Sequence, residues 1–523
     1  MGGQPLYLAP RLGKRLSSLL QAPDLLHTLV DALGSPLNVV VPDQLSANLE
    51  QFRAVYAGHH LSGKVLFAHK ANRSSALLRR LAATDAGVDV ASLAELQHAL
   101  GAGFTPDRIT ATGPKNPEFL WLGARTSVTV GVDGRDELEQ LAALVRTYAL
   151  PRTRILLRLS GFETSGVRTL SRRSRFGTPV REWPRLLDAV ERHRDAVELL
   201  GVAYHLDTTS LAEKATALEG CLRALEECRG RGLRPSVVDI GGGFGVDYLA
   251  DGEQWERYTT ELTAAVLGTR PPLTWGEHGY GLRNEAGTIR GSLGLYPAHR
   301  PVAGPRYLDD LLAHPAPSFG GRPLAALLLE HLYDLHIEPG RALLDQCGLT
   351  LARVLEVREP ESGDGELLVR LAANSDDIGL EEHGVLLDPV VVPGNRARAA
   401  GGTAAAPGNP VAVHLFGNLC LETDLITRRT VFLPDRPAPG DLLAFANTAG
   451  YCMDFHATRA QQQPVARKVA VWQEAGVGAG AWRWCLDDRY WPTTSVEATS
   501  LDAPSLGGTS LGGAGYDMVG GAQ

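Results

Sequence analysis

Several short apolar runs of the sequence end in side chains that could do chemistry, and the first ends in a lysine. The run Val65–Ala68 is followed by the segment HKAN, which contains Lys70. At the mouth of an apolar barrel, a lysine amine is partly desolvated, which lowers its pKa and prepares it to form an imine with a carbonyl group. A surface lysine that ends a strand has the same pattern, so position alone leaves both interpretations open.

A second run ends in consecutive glycines. Val237–Ile240 leads directly into Gly241, Gly242 and Gly243. The consecutive backbone N–H groups of such a loop form a nest that binds phosphate. The segment also contains a short GxGxG pattern, but no helix with an acidic residue about twenty positions later follows cleanly, so a dinucleotide site is only weakly indicated. A tight turn without a ligand is the remaining alternative.

Two further runs end in titratable side chains. Tyr333–Ile337 is followed by EPGR, in which Glu338 could face a cationic ring nitrogen and Arg341 could bind an anion. The same two side chains could instead form a structural salt bridge. The run Leu200–His205 ends in a single histidine, and such a histidine is more often structural than catalytic.

The elements that must position these side chains alternate regularly along the chain. Helical patterns separate the apolar runs, and Ser74 and Ser92 stand where N-caps are expected, the latter in a capping box with Glu95. Eight strand–helix units over about 280 residues predict a (β/α)8 barrel, although a doubly wound sheet would alternate similarly. The eight runs, rich in Val, Ile and Leu as buried parallel strands are, are Val65–Ala68, Gly87–Ala91, Ile109–Thr112, Val128–Val132, Ile155–Leu159, Leu200–His205, Val237–Ile240 and Tyr333–Ile337.

The alternation breaks in two places, which indicates the domain organisation. About ninety residues separate the seventh and eighth runs, where a crossover helix needs far fewer; Trp255–Leu267 looks helical, and an insertion follows at about 270–310. After residue 345 the pattern changes to short strands between Pro and Gly turns, namely Leu349–Val357, Glu366–Ala372, Val411–Leu415 and Lys468–Trp472. We therefore expect an N-terminal segment that packs on the β domain (1–45), a barrel (46–345), a C-terminal β domain (346–495) and a disordered tail (496–523).

Composition excludes several classes of protein. The 523 residues include 51 basic and 59 acidic side chains, and the net charge of −8 argues against non-specific binding to nucleic acid or an anionic membrane. No run of eighteen apolar residues is present, and the N-terminus lacks the layout of a signal peptide. The six cysteines form no CxxC pair, which argues against a metal site and is typical of reduced thiols in a cytoplasm. A multidomain enzyme remains the leading class.

Eight motifs occur in an order that resembles one enzyme family. From about residue 35 to 475 the sequence contains AHKAN, GVDVASLAEL, SRFG, YHLDTTS, DIGGGFG, EPGR, GNLCLETD and AGYCMDF. Each motif alone is weakly specific, but the ordered set closely resembles the fold type III pyridoxal-phosphate (PLP) decarboxylases, the diaminopimelate and ornithine decarboxylase-like family. The resemblance implies an α/β plus β protein, with a PLP-binding TIM-like barrel followed by a C-terminal β-sandwich or barrel. It also implies a homodimer with active sites shared across the interface.

The resemblance implies a role for each motif residue. It implies three catalytic residues: the Schiff-base lysine Lys70, the histidine His205 that packs on the cofactor ring, and Cys420, which returns a proton to the product from across the dimer interface. The residues implied to bind the cofactor are Lys70, Asp89, His205, Gly241, Gly242, Gly243, Glu338, Gly340, Arg341 and Tyr451. Those implied to contact the substrate are Ser174, Arg175, Glu422 and Asp424. Glu95 could be an acidic residue near the lysine or only a helix cap, and Ser210 could match the family's HxGS serine, although its spacing is longer.

The sequence departs from the family pattern next to Cys420. In the family an acidic residue follows this cysteine directly and helps to bind the distal group of the substrate. Here Leu421 follows, Glu422 comes one position later, and Asp424 keeps the expected place. The distal pocket is therefore expected to be re-aimed or to accept something other than a plain ammonium group. The insertion could form a lid that shapes the substrate site, and a solvated contact between subunits is an equally open alternative.

The predicted function is PLP-dependent decarboxylation of an amino acid or amino-acid-like substrate by way of a Lys70 Schiff base. Diaminopimelate, ornithine, lysine or a biosynthetic conjugate are the expected substrates. Glu338 favours decarboxylation over racemisation, because a carboxylate opposite the ring nitrogen keeps that nitrogen protonated and deepens the electron sink. The alternatives are an amino-acid racemase or epimerase on the same scaffold, a non-catalytic regulatory relative, and a nucleotide-binding oxidoreductase indicated by GGGFG alone. We expect a cytoplasmic enzyme.

Overall fold

The computed structural model describes residues 4–162, 174–206, 208–359, 366–394, 410–473 and 482–492. One compact unit spans Met1–Trp491, and the second unit, Pro492–Gln523, is described only at its first residue. The predicted disordered tail, residues 496–523, lies outside the described part of the chain.

Strands account for all eight of the predicted apolar runs. In chain order, the described residues form β1 (Leu37–Val40), β2 (Gly63–Ala68), β3 (Gly87–Val90), β4 (Ile109–Ala111), β5 (Thr129–Val132), β6 (Thr153–Ser160), β7 (Thr178–Pro179), β8 (Val197–Tyr204), β9 (Val237–Asp239), β10 (Leu282–Glu285), β11 (Thr288–Gly291), β12 (Pro315–Ala316), β13 (Arg322–Pro323), β14 (Asp334–Ile337), β15 (Gly348–Arg358), β16 (Glu366–Leu371), β17 (Val390–Val392), β18 (Val411–Phe416), β19 (Val431–Leu433), β20 (Leu442–Ala446), β21 (Arg467–Gln473) and β22 (Trp482–Leu486).

Helices separate the strands of the first part of the chain. They are α1 (Lys14–Leu20), α2 (Pro23–Leu33), α3 (Pro42–Gly58), α4 (Ser75–Ala82), α5 (Leu93–Gly101), α6 (Pro117–Thr126), α7 (Arg135–Thr147), α8 (Trp183–Arg192), α9 (Leu211–Gly230), α10 (Gly252–Val266), α11 (Gly304–Ala313) and α12 (Leu324–Glu330). The helix predicted over Trp255–Leu267 is confirmed as α10.

Eight parallel strands close into a barrel. Their order is β2-β3-β4-β5-β6-β8-β9-β14, and β14 pairs with β2 to complete the circle. Strands β3 and β5 are buried along their whole length, as expected for strands covered on both faces. The barrel is therefore confirmed over a doubly wound sheet. Because parallel strands all end at the same mouth of a barrel, the side chains that follow β2, β8, β9 and β14 are gathered there.

Helix caps set the direction in which the chain leaves this mouth. The Ser74 hydroxyl accepts a hydrogen bond from Leu77 N at 3.1 Å at the start of α4, and the Ser92 hydroxyl accepts one from Glu95 N at 3.2 Å at the start of α5. Such caps contribute about 1 kcal/mol each. The Glu95 carboxylate accepts a hydrogen bond from Ala91 N at 2.6 Å, one residue earlier than in the predicted capping box.

A second sheet forms the β domain. Its main order is β19-β18-β16-β15-β1-β21-β22, and β20 joins β15 to β17. Strand β1 comes from the N-terminal part of the chain and pairs antiparallel with β15 and parallel with β21. Leucines of α1 and α2 pack in the same apolar cluster as β1, β15 and β21. The sequence predicted β15, β16, β18 and β21, but not β1, β17, β19, β20 or β22.

The insertion is folded, and main-chain hydrogen bonds join its base to the β domain. Strands β10 and β11 form an antiparallel hairpin. Trp275 N donates to Arg428 O at 2.6 Å, and Thr430 N donates to Leu273 O at 2.9 Å. A later part of the insertion reaches the mouth of the barrel, where Tyr296 and Arg300 line a cavity.

Candidate active site

Lys70 lies at the mouth of the barrel, in a single turn of 3-10 helix (His69–Ala71) that follows β2. Its amine is 3.9 Å from Asp89 Oδ2, and Asp89, in β3, has only 1% of its surface exposed. Burial lowers the pKa of Lys70, but the carboxylates of Asp89 and Glu338 raise it more, so the net shift is upward. The prediction that the pKa of Lys70 is lowered is therefore wrong. The sequence could not show how many carboxylates surround the amine.

Three buried carboxylates lie at this mouth of the barrel, and two of them, Asp89 and Glu338, act directly on Lys70. The three belong to Asp89, Asp239 at the end of β9, and Glu338 directly after β14. Burial, together with the repulsion between the acids, raises the pKa of Glu338 well above its ordinary range and that of Asp239 to about 7. One oxygen of Asp89 and one of Asp239 have no hydrogen-bond partner among the described residues. Such a cluster is suited to a cationic ligand, which would favour the ionised carboxylates.

The raised pKa of Asp239 predicts a pH dependence for the ligand-free protein. Between about pH 4 and pH 7 the folded state retains a proton that the unfolded state has lost. The resulting stabilisation is complete below the ordinary carboxyl pKa and is lost as the pH rises through about 7, with a slope of up to about 1.4 kcal/mol per pH unit. Urea unfolding from pH 4 to 8 should show that Asp239→Asn has a flatter profile than the parent.

An exposed carboxylate provides the control for this measurement. Asp136 lies in the first turn of α7 and is exposed, so Asp136→Asn should give a profile parallel to that of the parent. If the Asp239→Asn profile is also parallel, Asp239 does not hold its proton near neutral pH.

His205 follows β8 and stands between the carboxylates and the glycine loop. Its Nδ1 is 3.8 Å from Glu338 Oε2 and accepts a hydrogen bond from Gly242 N at 3.3 Å. Burial, with the nearby ammonium groups of Lys70 and Lys214, lowers the pKa of His205 well below its ordinary value. The imidazole is therefore neutral at pH 7 and is held by the loop in a fixed position.

The glycine loop is packed so closely that larger residues would not fit. A Cβ atom at Gly241 would lie 2.6 Å from His205 Nδ1, and the residue has φ of +63°. A Cβ atom at Gly242 would lie 2.7 Å from Glu338 O. The main chain of Glu338 in turn donates to Gly241 O at 2.9 Å. Glycine is thus required here by space as well as by backbone conformation.

Arg341 and Tyr451 lie beside this loop. The Arg341 guanidinium is stacked 5.1 Å from the centre of the Tyr451 ring and donates to Tyr248 Oη at 2.9 Å. A Cβ atom at Gly340 would lie 2.7 Å from Tyr451 Oη, so this glycine allows the tyrosine to approach the strand end. These residues line a cavity of about 620 Å³ that also contains Gly242 and Gly243.

A second and larger cavity, of about 990 Å³, shares several lining residues with the first. Lys70, His205 and Glu338 line both cavities. Ser174 and Arg175 lie in the wall of the larger cavity. The geometry therefore brings the residues expected to bind the cofactor and two of those expected to bind the substrate to one continuous region.

The residues predicted around Cys420 lie elsewhere in the single chain. Cys420 is exposed and lines a separate cavity of about 500 Å³ in the β domain, together with Glu422 and Asp424. Asp424 is buried, and its carboxylate accepts hydrogen bonds from Ser375 N and Leu419 N, both at 2.8 Å. In this chain Asp424 therefore stabilises its own loop, and its expected contact with the substrate stays a prediction.

Two residues whose roles the sequence left undecided, Ser210 and Glu95, form helix caps or local contacts. Ser210 is the N-cap of α9 and accepts a hydrogen bond from Glu213 N at 3.4 Å; it is absent from the described lining of both barrel cavities. Glu95 accepts from Ala91 N, and its other oxygen is 3.4 Å from His69 Nδ1. Neither geometry assigns a direct role in chemistry.

Sequence reasoning missed several residues of the site. Arg158, on β6, lines the larger cavity and is 3.4 Å from Asp133. A charged residue within an otherwise apolar strand was the available signal for Arg158. Tyr296 and Arg300 reach the smaller cavity from the insertion, which the sequence analysis considered as a lid without naming these two residues.

Comparisons with known proteins identify the family to which the chain belongs. Residues 43–283 match the pyridoxal-binding domain of the pyridoxal-dependent decarboxylases. The uncharacterised protein y4yA of Sinorhizobium fredii is 30% identical over 447 residues, which cover 84% of this chain and 89% of that protein. Diaminopimelate decarboxylase of Methanothermobacter thermautotrophicus is 29% identical over 239 residues, 43% of this chain and about half (53%) of that enzyme.

The fold is also similar to that of solved structures. The crystal structure of Helicobacter pylori diaminopimelate decarboxylase in complex with L-lysine has a TM-score of 0.62 to this chain, with 16% identity. The match covers 88% of this chain and 95% of that one, and at this identity it shows a shared fold. The chain belongs to the fold type III family of PLP-dependent decarboxylases. Its cofactor is PLP, and it is a carboxy-lyase.

The residues present fit this cofactor. The glycine loop and Arg341 would hold the phosphate, and Lys70 would offer the amine that binds the aldehyde carbon. The carboxyl of Glu338, whose pKa is raised by burial and by the neighbouring acids, would face the ring nitrogen. The partnerless oxygens of Asp89 and Asp239 are also consistent with a positively charged group at the centre of the site.

Proposed function

We propose that this protein decarboxylates an amino acid of the diaminopimelate, ornithine or lysine type, or a biosynthetic conjugate of one. The observation that carries the proposal is the convergence of Lys70, His205 and Glu338 on both cavities at the mouth of the barrel. PLP, when bound, withdraws electrons from the substrate Cα so that the carboxylate can leave as CO2. The chain must then hold the substrate, stabilise charge and return a proton.

Each of the central side chains has a distinct task in this proposal. Lys70 holds the cofactor and exchanges it with the substrate amine. Glu338 ionises against a protonated ring nitrogen and keeps that proton in place. His205 is neutral, because burial lowers its pKa, so it adds no positive charge next to the ring. The arrangement therefore favours loss of CO2, which needs a strong electron sink.

This chain departs from the family pattern at the residues expected to contact the distal end of the substrate. Leu421 is 55% exposed at the position that follows Cys420, and the Asp424 carboxylate is occupied by main-chain N–H groups. Glu422 is the remaining exposed acid of this segment. These features support a substrate whose distal group is larger or less basic than a free ammonium.

A substrate screen tests this proposal. Holoenzyme is incubated with diaminopimelate, lysine, ornithine and arginine, and with the first three of these acylated at the distal amine. Release of CO2 from at least one of them supports the proposal, and preference for an acylated compound supports the conjugate class. Release of CO2 from none of these compounds would contradict the proposed substrate class.

We further propose a homodimer whose sites combine Lys70 of one subunit with Cys420 of the other. Cys420 is exposed and lies in a different cavity from Lys70 within one chain, so a second copy is the natural source of a proton donor. Co-expression of Lys70→Ala and Cys420→Ala chains should yield mixed dimers with one intact site. With random pairing, activity should return to about a quarter of the parent value, well above either variant alone.

A matched pair of variants provides the control. Lys70 and Glu338 serve the same site within one chain, so mixed dimers of Lys70→Ala and Glu338→Gln contain no intact site and should show no recovery. Equal activity of both mixtures would contradict a site shared between subunits.

The cellular compartment is proposed from the thiols. All six cysteines are free in the described chain, and none of its described helices is long and apolar enough to cross a membrane. Free thiols are typical of a reducing compartment. We propose the cytoplasm as the place where the enzyme works.

A further inference from the structure

We infer that Lys214 supplies a second cation, in addition to Arg341, to the phosphate group of PLP. Lys214 lies in the second turn of α9 and is not part of any motif that the sequence analysis singled out. The inference rests on the cofactor and not on the identity of the substrate.

The lysine amine reaches the glycine loop from within the protein. Lys214 has no exposed surface, and its Nζ donates a hydrogen bond to Gly242 O. A Cβ atom placed on Gly243 would lie only 3.0 Å from this Nζ. The amine also lies 5.2 Å from the centre of the Phe244 ring, which excludes water on that side. The ammonium group is thus directed to the glycine loop that would hold the phosphate.

Charge explains why a lysine would be retained at such a place. Lys214 forms no ion pair with another described residue; the more distant Glu338 carboxylate raises its pKa, but by less than burial lowers it. An ammonium group carries three donors, and Gly242 O accepts one of them. Burial of an unpaired charge is strongly unfavourable, and an anion within hydrogen-bonding reach removes that cost. The phosphate held by the glycine loop is an anion of this kind.

Two cations match the charge of a phosphate dianion. Arg341, in the segment after β14, is stacked on Tyr451 and lines the cavity that also contains Gly242 and Gly243 of the loop that Lys214 contacts. Burial lowers the pKa of Lys214 to about 8, so the amine is still mainly protonated at pH 7. A dianion beside it would stabilise the protonated form further.

Comparison of PLP with pyridoxal, which has no phosphate, tests the inference. Apoenzyme of the parent and of Lys214→Met is titrated with each compound, and the visible absorbance of the lysine-bound aldehyde reports binding. For Lys214→Met the Kd for PLP should rise roughly 10- to 100-fold, the effect of losing a charge-assisted hydrogen bond, while the Kd for pyridoxal stays unchanged. Lys214→Gln should behave in the same way and serves if the methionine variant does not fold.

A second buried lysine provides the matched control. Lys115 also has no exposed side-chain surface, but it is paired with Glu137 at 3.1 Å. Lys115→Met should therefore leave the ratio of the two dissociation constants at the parent value. An unchanged ratio in both Lys214 variants, or an equal loss of PLP and pyridoxal binding, would overturn the inference. If the parent binds neither compound, the cofactor assignment itself fails.

Discussion

Replacement of Lys70 by alanine should abolish both decarboxylation and the visible absorbance of the holoenzyme. The amine of Lys70 lies at the centre of the barrel mouth, 3.9 Å from Asp89, and lines both cavities. Without it the cofactor has no covalent attachment and no group that releases the product. We expect the rate of CO2 release to fall by at least about 10³-fold, in line with the loss of a covalent catalyst.

A lysine on the same strand provides the control for this variant. Lys64 lies near the start of β2, at the opposite end of the barrel, where its Nζ donates to Asp107 O at 2.6 Å. Lys64→Ala should keep the absorbance and the activity. Borohydride, which reduces imines, should remove the absorbance of the parent and of Lys64→Ala but find none in Lys70→Ala. Retention of borohydride-sensitive absorbance in Lys70→Ala would show that another amine holds the cofactor.

Replacement of Glu338 by glutamine should have the second largest effect. Glutamine keeps the shape of the side chain but cannot hold a proton on the ring nitrogen by charge. We expect kcat to fall by about 10²- to 10³-fold, the range typical of a lost electrostatic contact to developing charge. PLP should still bind, because Lys70, the glycine loop and Arg341 are unchanged. Absorbance titration and steady-state rates separate these two effects.

A charge-conserving variant distinguishes electrostatics from packing. Glu338→Asp retains the carboxylate and should recover part of the lost kcat, although the shorter side chain leaves it further from the ring. If Glu338→Gln has the kcat of the parent, the reaction does not need the ring-nitrogen proton. That result would favour a reaction with less demand on the electron sink, as in a racemase.

Much of the barrel could be predicted from the sequence because its signals are local. Each of the eight strands is a short apolar run, and helix caps such as Ser74 and Ser92 follow from residue types over a few positions. The order of the motifs then indicated that the cofactor is PLP. The ends of β2, β9 and β14 carried Lys70, the glycine loop and Glu338, as expected for a parallel barrel.

The features that could not be predicted depend on distant parts of the chain. Strand β1 joins the β domain because it pairs with β15 and β21, which are hundreds of residues away. The pKa of Lys70 is raised because carboxylates from two other strands surround it. Lys214 looks like an ordinary helix residue, and only the fold reveals that its amine meets the glycine loop.

Asp424 has a structural role that its place in the motif did not indicate. Its position four residues after Cys420 matches the family pattern, but its carboxylate accepts two main-chain hydrogen bonds within its own chain. These two bonds are a local structural reason for an acid at this spacing, and the substrate contact stays a prediction. Leu421, in the place of an acidic residue, is consistent with such a change.

The reaction catalysed is tested most directly by the fate of the substrate carboxylate in D2O. Holoenzyme is incubated in D2O with each amino acid of the screen, labelled at the α-carboxyl carbon, and labelled CO2 and the amine product are quantified together. Decarboxylation predicts equal amounts of labelled CO2 and amine, with one deuterium on the carbon that carried the carboxylate. Recovery of inverted, deuterium-exchanged amino acid without CO2 would contradict this account and identify a racemase.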